Sequence, residues 1–589
     1  MDRSVIVALL LGCGVSLVPT TTTTTTRTTT RRRTRFLRCD GRVCALSEEA
    51  ARNEIERRNV AVETTPEGAL LEAEEEEAAA AALEAVTSGE LGSAALVVER
   101  SLQAVDDISK ASTAVHFDRR RIVVLGSGWG AASLVKALGG AARYDDVTVV
   151  SPRNYFLFTP MLAGAAVGTV DYRSITEPLR RLNGRVNYLE ATALRIDVER
   201  RVVECEAVAC EGTSCEITDF DVPYDVVACA VGATTNTFGV KGVREHCLFL
   251  KQIQDAEALR RAVGNVFERA SFPAATETEK RRALSFVVVG AGPTGVEFCS
   301  ELRDFLNSEA TRFYPDLLEY AQVTLLEATT TVLGAFDASL RDVALDELCR
   351  ERRAPEGERI LAVDVRLGAA VREVNQTHVM IGDLHESIPY GLCVWATGNG
   401  PVRVVSDSID EIGTVQKDAQ SRCRGRLAVD SHLRVLGTPR GEVFALGDCA
   451  AFPPSPLPAT AQVAAQQGEY LARLFASGYD LSQPTPSRKG PKLGLGEAFC
   501  ETTTEGRVLA RGFQFLDLGI LTYVGDSKAL AQLGLGGTDS KFSIKGSGRI
   551  AFALWRSVYL AKQMSIRNRL SIGIDWVRNR VFGRDITRF

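Results

Sequence analysis

No CxxC pair occurs among the fourteen cysteines of this 589-residue chain, so the paired spacing of a structural zinc site is missing. Cys205, Cys210 and Cys215 recur every five residues. That spacing fits no metal site and reads as free thiols on a strand pair and its turn, so no metal is expected. Excess positive charge is missing too. The formal net charge is −5, which argues against a nucleic-acid partner, because domains that bind nucleic acid are usually basic. Long apolar runs are scarce. Only "VIVALLLGCGVSLV" (Val5 to Val18) approaches one, and it falls short of the ~20 residues that cross a bilayer.

What is present is ordinary for a folded protein: 45% hydrophobic, 24% charged, mean hydropathy near zero. The length suggests about three to four compact units. The apolar stretch near the N-terminus runs into a Thr/Arg tract, and no acid lies between Arg3 and Cys39. Residues 1–40 therefore read as a targeting segment. A mitochondrial presequence is the simpler form; a signal core followed by a transit tract would suit a plastid. Residues 41–115 are rich in Ala and Glu, as in "EEEEAAAAALEAV" from Glu74. They offer little apolar surface to bury and are expected to be a solvated extension.

Order is expected from about His116. "RIVVLG", "YDDVTVVSP" and "YDVVACAVGATTN" read as buried strands, and the pattern restarts at Leu284 with "SFVVVG", "VTLLEA" and "LCVWATGNGP". "VFALGDCAAFP" (Val443 to Pro453) supplies a further strand, followed by a helix through "ATAQVAAQQGEYLARLF". The expected fold class is α/β, with two Rossmann-like dinucleotide-binding domains, the second inserted in the first. The boundaries are 116–245 and 401–480 for the interrupted domain, 246–400 for the inserted one, and 481–589 for a C-terminal domain expected to consist of amphipathic, membrane-docking helices.

Two glycine turns carry the chemistry. "RIVVLGSGWGAASL" places Gly126 at the tight turn, Gly128 where backbone approaches a pyrophosphate, and Ala131 where the helix packs on the strand. Ser127, Trp129 and Gly130 complete that turn. "SFVVVGAGPTGVEF" repeats the arrangement with Gly290, Gly292 and Gly295, and Pro293 and Thr294 open its helix. Backbone N–H groups at each helix start would hold phosphates. Each turn sits between a strand and a helix, the context that gives the motif its meaning. Two such turns imply two dinucleotides. Glu327 ends the strand "VTLLEA", where a carboxylate would accept from a ribose 2′-OH and repel a 2′-phosphate, so NADH is expected over NADPH. The matching slot after the first turn holds Ser151, followed by Pro152 and Arg153, which departs from the usual fingerprint.

The motifs "SPRNYFLFTPML", "FVVVGAGPTGVEFCSEL", "VTLLEA", "ALGDCA" and "LPATAQVAAQQGEYLA" resemble the type II (alternative, non-proton-pumping) NADH:quinone oxidoreductases. The resemblance spans about residues 119–589 and is nearest to the mitochondrial enzymes of plants and fungi. It implies that the turn around Gly126 and Gly128 holds FAD, with Gly232, Gly447 and Asp448 as further FAD contacts and Thr159 and Pro160 beside the isoalloxazine. It implies that Gly290, Gly292, Gly295 and Glu327 hold NADH. Ala396, Thr397 and Gly398 would form a strand-end turn on the nicotinamide side. Glu297 matches the family carboxylate near the nicotinamide. Gln462 and Gln466, four apart on one helix face, match the helix that meets both flavin and quinone. The implied mechanism is ping-pong, with hydride passing from NADH to flavin N5 and two electrons then passing to ubiquinone or plastoquinone.

Related disulfide reductases carry a redox CxxxxC after the first glycine turn, and "WGAASLVKALGGAARY" has no cysteine. Only "AFPPSP" lies between Ala450 and Leu457, which leaves no room for the calcium-binding insertion of some family members. The last 41 residues, Arg549 to Phe589, hold nine Lys/Arg and two Asp, a net +7. Ile566, Leu570, Ile574, Val577 and Val581 form a stripe at helical spacing with Trp576 and arginines beside it. This is the pattern of a helix lying in a membrane interface, and dimerisation is its compatible alternative. The expected protein is a peripheral, homodimeric enzyme of the mitochondrial inner membrane, or of a plastid. Rival expectations are a redox-sensing binding protein similar to apoptosis-inducing factors, and a sulfide:quinone oxidoreductase using Cys299 and Cys449.

Overall fold

The computed structural model describes residues 36–39, 42–45, 120–138, 145–211, 214–350, 352–353, 359–382, 386–489, 500–503, 506–534 and 543–587. Two compact units result, Met1–Phe117 and Asp118–Phe589. In the first, Phe36–Cys39 pairs antiparallel with Arg42–Ala45. Apart from that hairpin, the targeting segment and the Ala/Glu-rich extension lie outside the described residues.

The second unit holds two five-stranded parallel sheets. The first runs Val443–Ala445, Val226–Cys229, Arg120–Leu125, Asp145–Val150, Asn187–Leu189. The second runs Leu248–Phe249, Leu392–Trp395, Ser285–Val289, Gln322–Glu327, Val363–Leu367. Both central strands are buried β-branched runs: Ile122, Val123 and Val124 in one, Val287 and Val288 in the other. Strands covered on both faces by helices read this way. Each central strand is the one that leads into a glycine turn. Chain connections leave it in opposite directions, and the crevice this opens at the carboxyl ends of the strands is where such sheets take ligands.

Each sheet carries a three-stranded antiparallel annex. In the first annex, Val202–Glu211 and Ser214–Pro223 form a hairpin that sets Cys210 opposite Cys215 and Phe220 opposite Cys205, the strand pair expected from the cysteine spacing. The expected strand at Val443–Pro453 is shorter than its sequence suggests. It ends at Ala445, turns through Gly447–Cys449 and resumes as Ala450–Ala451 against Leu427–Ala428. Gly447 has φ +74°, which breaks the extended backbone at that point.

The C-terminal part is less helical than expected. Ile520–Gly525, Lys528–Gly534 and Ser543–Gly548 form an antiparallel meander before the helices Arg549–Ala561 and Ile566–Phe582. The last helix docks by its polar side. Asp171 N donates to Asp575 Oδ2 at 3.0 Å, Asn568 Nδ2 to Thr176 O at 3.0 Å, and Asn579 Nδ2 to Thr169 O at 2.6 Å. Its apolar stripe, Ile566, Leu570, Ile574, Val577 and Val581, is left between 63% and 72% exposed. Among the described residues, no helix is long and apolar enough to cross a membrane.

Candidate functional site

At the first turn Gly126 adopts φ +106°, and a Cβ there would lie 2.4 Å from Ala230 O. Only glycine lets the chain pass so close to the neighbouring strand end. Gly128 is the opposite case: a Cβ on it meets nothing within 4 Å, so its backbone faces open space where a ligand can approach. The helix Trp129–Leu138 starts there, with Gly130 against Leu446 and Ala131 fully buried. Ser127 Oγ is buried and has no hydrogen-bond partner among the described residues. A buried hydroxyl without a partner is costly, and an oxygen-rich ligand in the open space would satisfy it.

The other residues expected around this turn converge on it by short links. Trp129 Nε1 donates to Thr159 Oγ1 at 3.1 Å, which ties the turn to the segment carrying Pro160. Trp129 also meets Phe156 edge-on, with ring centroids 5.0 Å apart. Ser151 is buried, its Oγ accepts from Arg153 N at 3.2 Å, and exposed Pro152 lies between them. Gly232 turns at φ +73° with open space beside it. Burial lowers the pKa of Arg153 and of Lys251, Asp448 opposes the shift in Lys251, and burial raises Asp448 itself. Two desolvated cations and one acid beside this cradle fit an anionic diphosphate. Sequence reading missed Lys251, which also donates to Asn399 Oδ1 at 2.7 Å. No motif surrounds it, and only the fold brings it to Asp448.

The helix Ala461–Ala476 crosses this turn closely. A Cβ on Gly468 would sit 2.4 Å from Gly130 O. Gln467 Oε1 accepts from Gly447 N at 2.7 Å, which links the helix to the turn holding Asp448; Gln467 stands in the "AQQG" motif beside Gln466, and its own role was not legible there. Gln462 and Gln466 share one face, as their spacing requires. Both donate to Leu516 O, at 3.1 and 2.9 Å, and Gln466 Oε1 accepts from Leu516 N at 2.9 Å.

The second turn repeats the first. Gly290 adopts φ +105° with Thr397 2.7 Å from its would-be Cβ, and a Cβ on Gly295 would lie 1.9 Å from Gly290 O and 3.6 Å from Ala396. Gly292 faces open space. Pro293 starts the helix Pro293–Phe305, and Thr294 is exposed beside it. Glu327 ends its strand and holds the turn, accepting from Ala291 N at 2.7 Å and Thr329 N at 2.8 Å. Gly398, at φ +77°, backs onto the ring of Phe238.

Glu297 lies one turn into that helix but faces the C-terminal meander. Its Oε1 accepts from Thr522 Oγ1 at 3.1 Å and Tyr523 N at 3.4 Å. Burial pushes its pKa from 4.5 to about 8, with these two hydrogen bonds opposing the shift. The segment Leu516–Tyr523 therefore touches both the helix that crosses the first turn and the helix that follows the second. Nothing in the sequence pairs Thr522 with Glu297, 225 positions apart. Cys299 and Cys449 are both buried. Burial raises the Cys299 thiol pKa, which disfavours the reactive thiolate.

A family model described as pyridine nucleotide-disulphide oxidoreductase matches residues 120–468, and one described as NDH2 C-terminal domain matches 518–585. External NADH-ubiquinone oxidoreductase 2 of Saccharomyces cerevisiae is 36% identical over 485 residues, covering 79% of this chain and 82% of that protein. A probable NADH dehydrogenase of Dictyostelium discoideum is 36% identical over 475 residues, covering 80% and 92%. The NADH complex of NDH2 from Plasmodium falciparum shares the fold, with a TM-score of 0.67 at 24% identity, over 80% of this chain and 100% of that one. The chain belongs to the pyridine nucleotide-disulphide oxidoreductases and, within them, to the type II NADH dehydrogenase (NDH2) family.

Proposed function

We propose that this protein oxidises NADH and delivers two electrons to a membrane quinone without pumping protons, as a peripheral enzyme of the mitochondrial inner membrane. The observation that carries the reading is the pair of separate glycine cradles, each at the switch point of its own parallel sheet. Gly126, Gly128, Ser127, Asp448 and the Arg153–Lys251 cations would hold FAD; Gly290, Gly292, Gly295 and Glu327 would hold NADH. Bound FAD supplies what side chains lack, accepting hydride from one substrate and returning two electrons to the other. The chain's own part is to align the rings and exclude water. Trp129 braces the Thr159–Pro160 segment, and Gln462 and Gln466 fix the backbone of Leu516 beside the helix expected to meet the quinone. Glu327 disfavours a 2′-phosphate, so NADPH is a poorer donor.

The exposed stripe supports docking on a membrane surface. A helix whose polar side packs inward and whose apolar side faces out has nothing to gain from water, and the basic tail adds ~1 kcal/mol per Lys or Arg near an anionic surface. A homodimer is part of the same reading, on the family resemblance.

Anaerobic reduction of the FAD-loaded protein with NADH, followed by a short-chain ubiquinone analogue, tests the reading. The flavin absorbance should bleach, then return rapidly with quinone, and NADPH should bleach it more slowly. A flavin that quinone leaves reduced for minutes overturns the reading and favours the redox-sensing alternative.

A further inference from the structure

The proposed reaction, NADH + H⁺ + quinone → NAD⁺ + quinol, draws one proton from solvent per turnover, and the chain must let it in. A cavity of about 430 Å³ lies between the helix Pro293–Phe305 and the C-terminal helices. Its lining runs from buried Met161 and Glu297 to exposed Ser308, Asp526 and Arg580. A water's share of liquid volume is ~30 Å³, so the space has room for several waters.

Glu297 and Glu301 lie four apart, on one helix face, and both line the cavity. They are 9% and 6% exposed. Glu297 Oε1 takes both of its hydrogen bonds, from Thr522 and Tyr523, which leaves Oε2 to carry a proton. Glu301 Oε2 accepts from Thr169 Oγ1 at 2.6 Å and from Arg584 Nη2 at 3.3 Å. On the helix Arg549–Ala561, Tyr559 is within electrostatic reach of Glu297, and the Arg556 guanidinium, which also lines the cavity, acts to lower the pKa of Glu301. Asp304, one turn beyond Glu301, adds a like charge and accepts from the Tyr523 hydroxyl. Burial raises the pKa of both glutamates, each raised acid being opposed by its hydrogen bonds and, for Glu301, most of all by Arg584.

We propose that Glu301 is a proton-relay residue: water in the cavity protonates it, and it returns a proton to Glu297 Oε2 each time that carboxyl has given one up toward the quinone-reducing side. No electron moves in this step; one O–H bond breaks as another forms, and Glu301 ends each cycle as it began. The inference rests on the function proposed above.

The test uses FAD-loaded, full-length protein. Glu301→Gln should leave bleaching by NADH unchanged, because that step takes no proton from solvent. Reoxidation by quinone should slow on the order of tenfold, most strongly as the pH rises past about 8, less than the loss typical of removing a general acid outright. Glu301→Asp should restore it. A second readout is independent of turnover: the infrared carbonyl band of a protonated carboxyl, assigned to Glu297 by its loss in Glu297→Gln. It should titrate near pH 8 in the unmodified protein and at lower pH in Glu301→Gln, where a like charge has gone. Thr169→Ala should move the same titration in the same direction but less, because Glu301 then holds its proton more tightly. Equal slowing of both half-reactions, no slowing of either, or a Glu297 band indifferent to residues 301 and 169 overturns the proposal. Should quinone fail to reoxidise even the unmodified protein, the functional reading falls, and the infrared titration still decides the glutamate pair.

Discussion

A methyl group has no place at Gly295: it would lie 1.9 Å from the carbonyl oxygen of Gly290. That oxygen belongs to the turn itself, so it cannot swing aside as a flexible side chain could. Gly295→Ala is expected to abolish bleaching by NADH while FAD absorbance stays intact, since the first cradle is built on another sheet; titration of the FAD-loaded variant with NADH checks this. Glu297 offers a pH signature. Its folded-state pKa is raised from 4.5 to about 8, so the folded chain keeps a proton that the unfolded chain releases. The stability tied to that proton is fully present below 4.5 and is lost as pH rises through 8. Glu297→Gln should flatten the decline of Tm across that window, measured by thermal unfolding at a series of pH values.

At the scale of elements, the crossing of Trp129–Leu138 with Ala461–Ala476 decides how the first cradle is held. Gly468 lets the two backbones touch, with Gly130 O and Leu134 N both within 3 Å of a would-be Cβ. Gly468→Ala must push the helices apart, at a cost of about 1–3 kcal/mol. The expected result is a lower Tm and faster loss of FAD on dilution, read from the fluorescence of released flavin. The glycine of "AQQG" was visible in the sequence; its contact with Gly130, 338 positions away, was not. The same limit applied to "GDCA". Its residues read as one strand with apolar flanks, and the break at Gly447 appeared only when Gln467 took its N–H.

For the whole molecule, the last helix inverts the usual arrangement, with Asn568, Asp575 and Asn579 inside and an aliphatic stripe outside. Replacing Leu570, Ile574 and Val577 by Asp should leave Tm nearly unchanged, because these side chains already face water, and should abolish co-sedimentation with vesicles containing anionic lipid. Retained sedimentation would count against membrane docking through this helix.

Sequence alone carries the two strand–glycine–helix units and the acid at the end of the second. Steric rules for tight turns and the run of β-branched residues in buried strands act over a dozen positions and are legible locally. It also determined the spacing of the apolar stripe, because helical periodicity needs no partner to be seen. Tertiary structure alone decided which way that stripe faces, that the charge of Lys251 acts on Asp448, that Gln462 and Gln466 hold Leu516, and that Glu297 is buried against Thr522. These depend on contacts between segments far apart in the chain, where burial sets both the geometry and the proton affinity of each group.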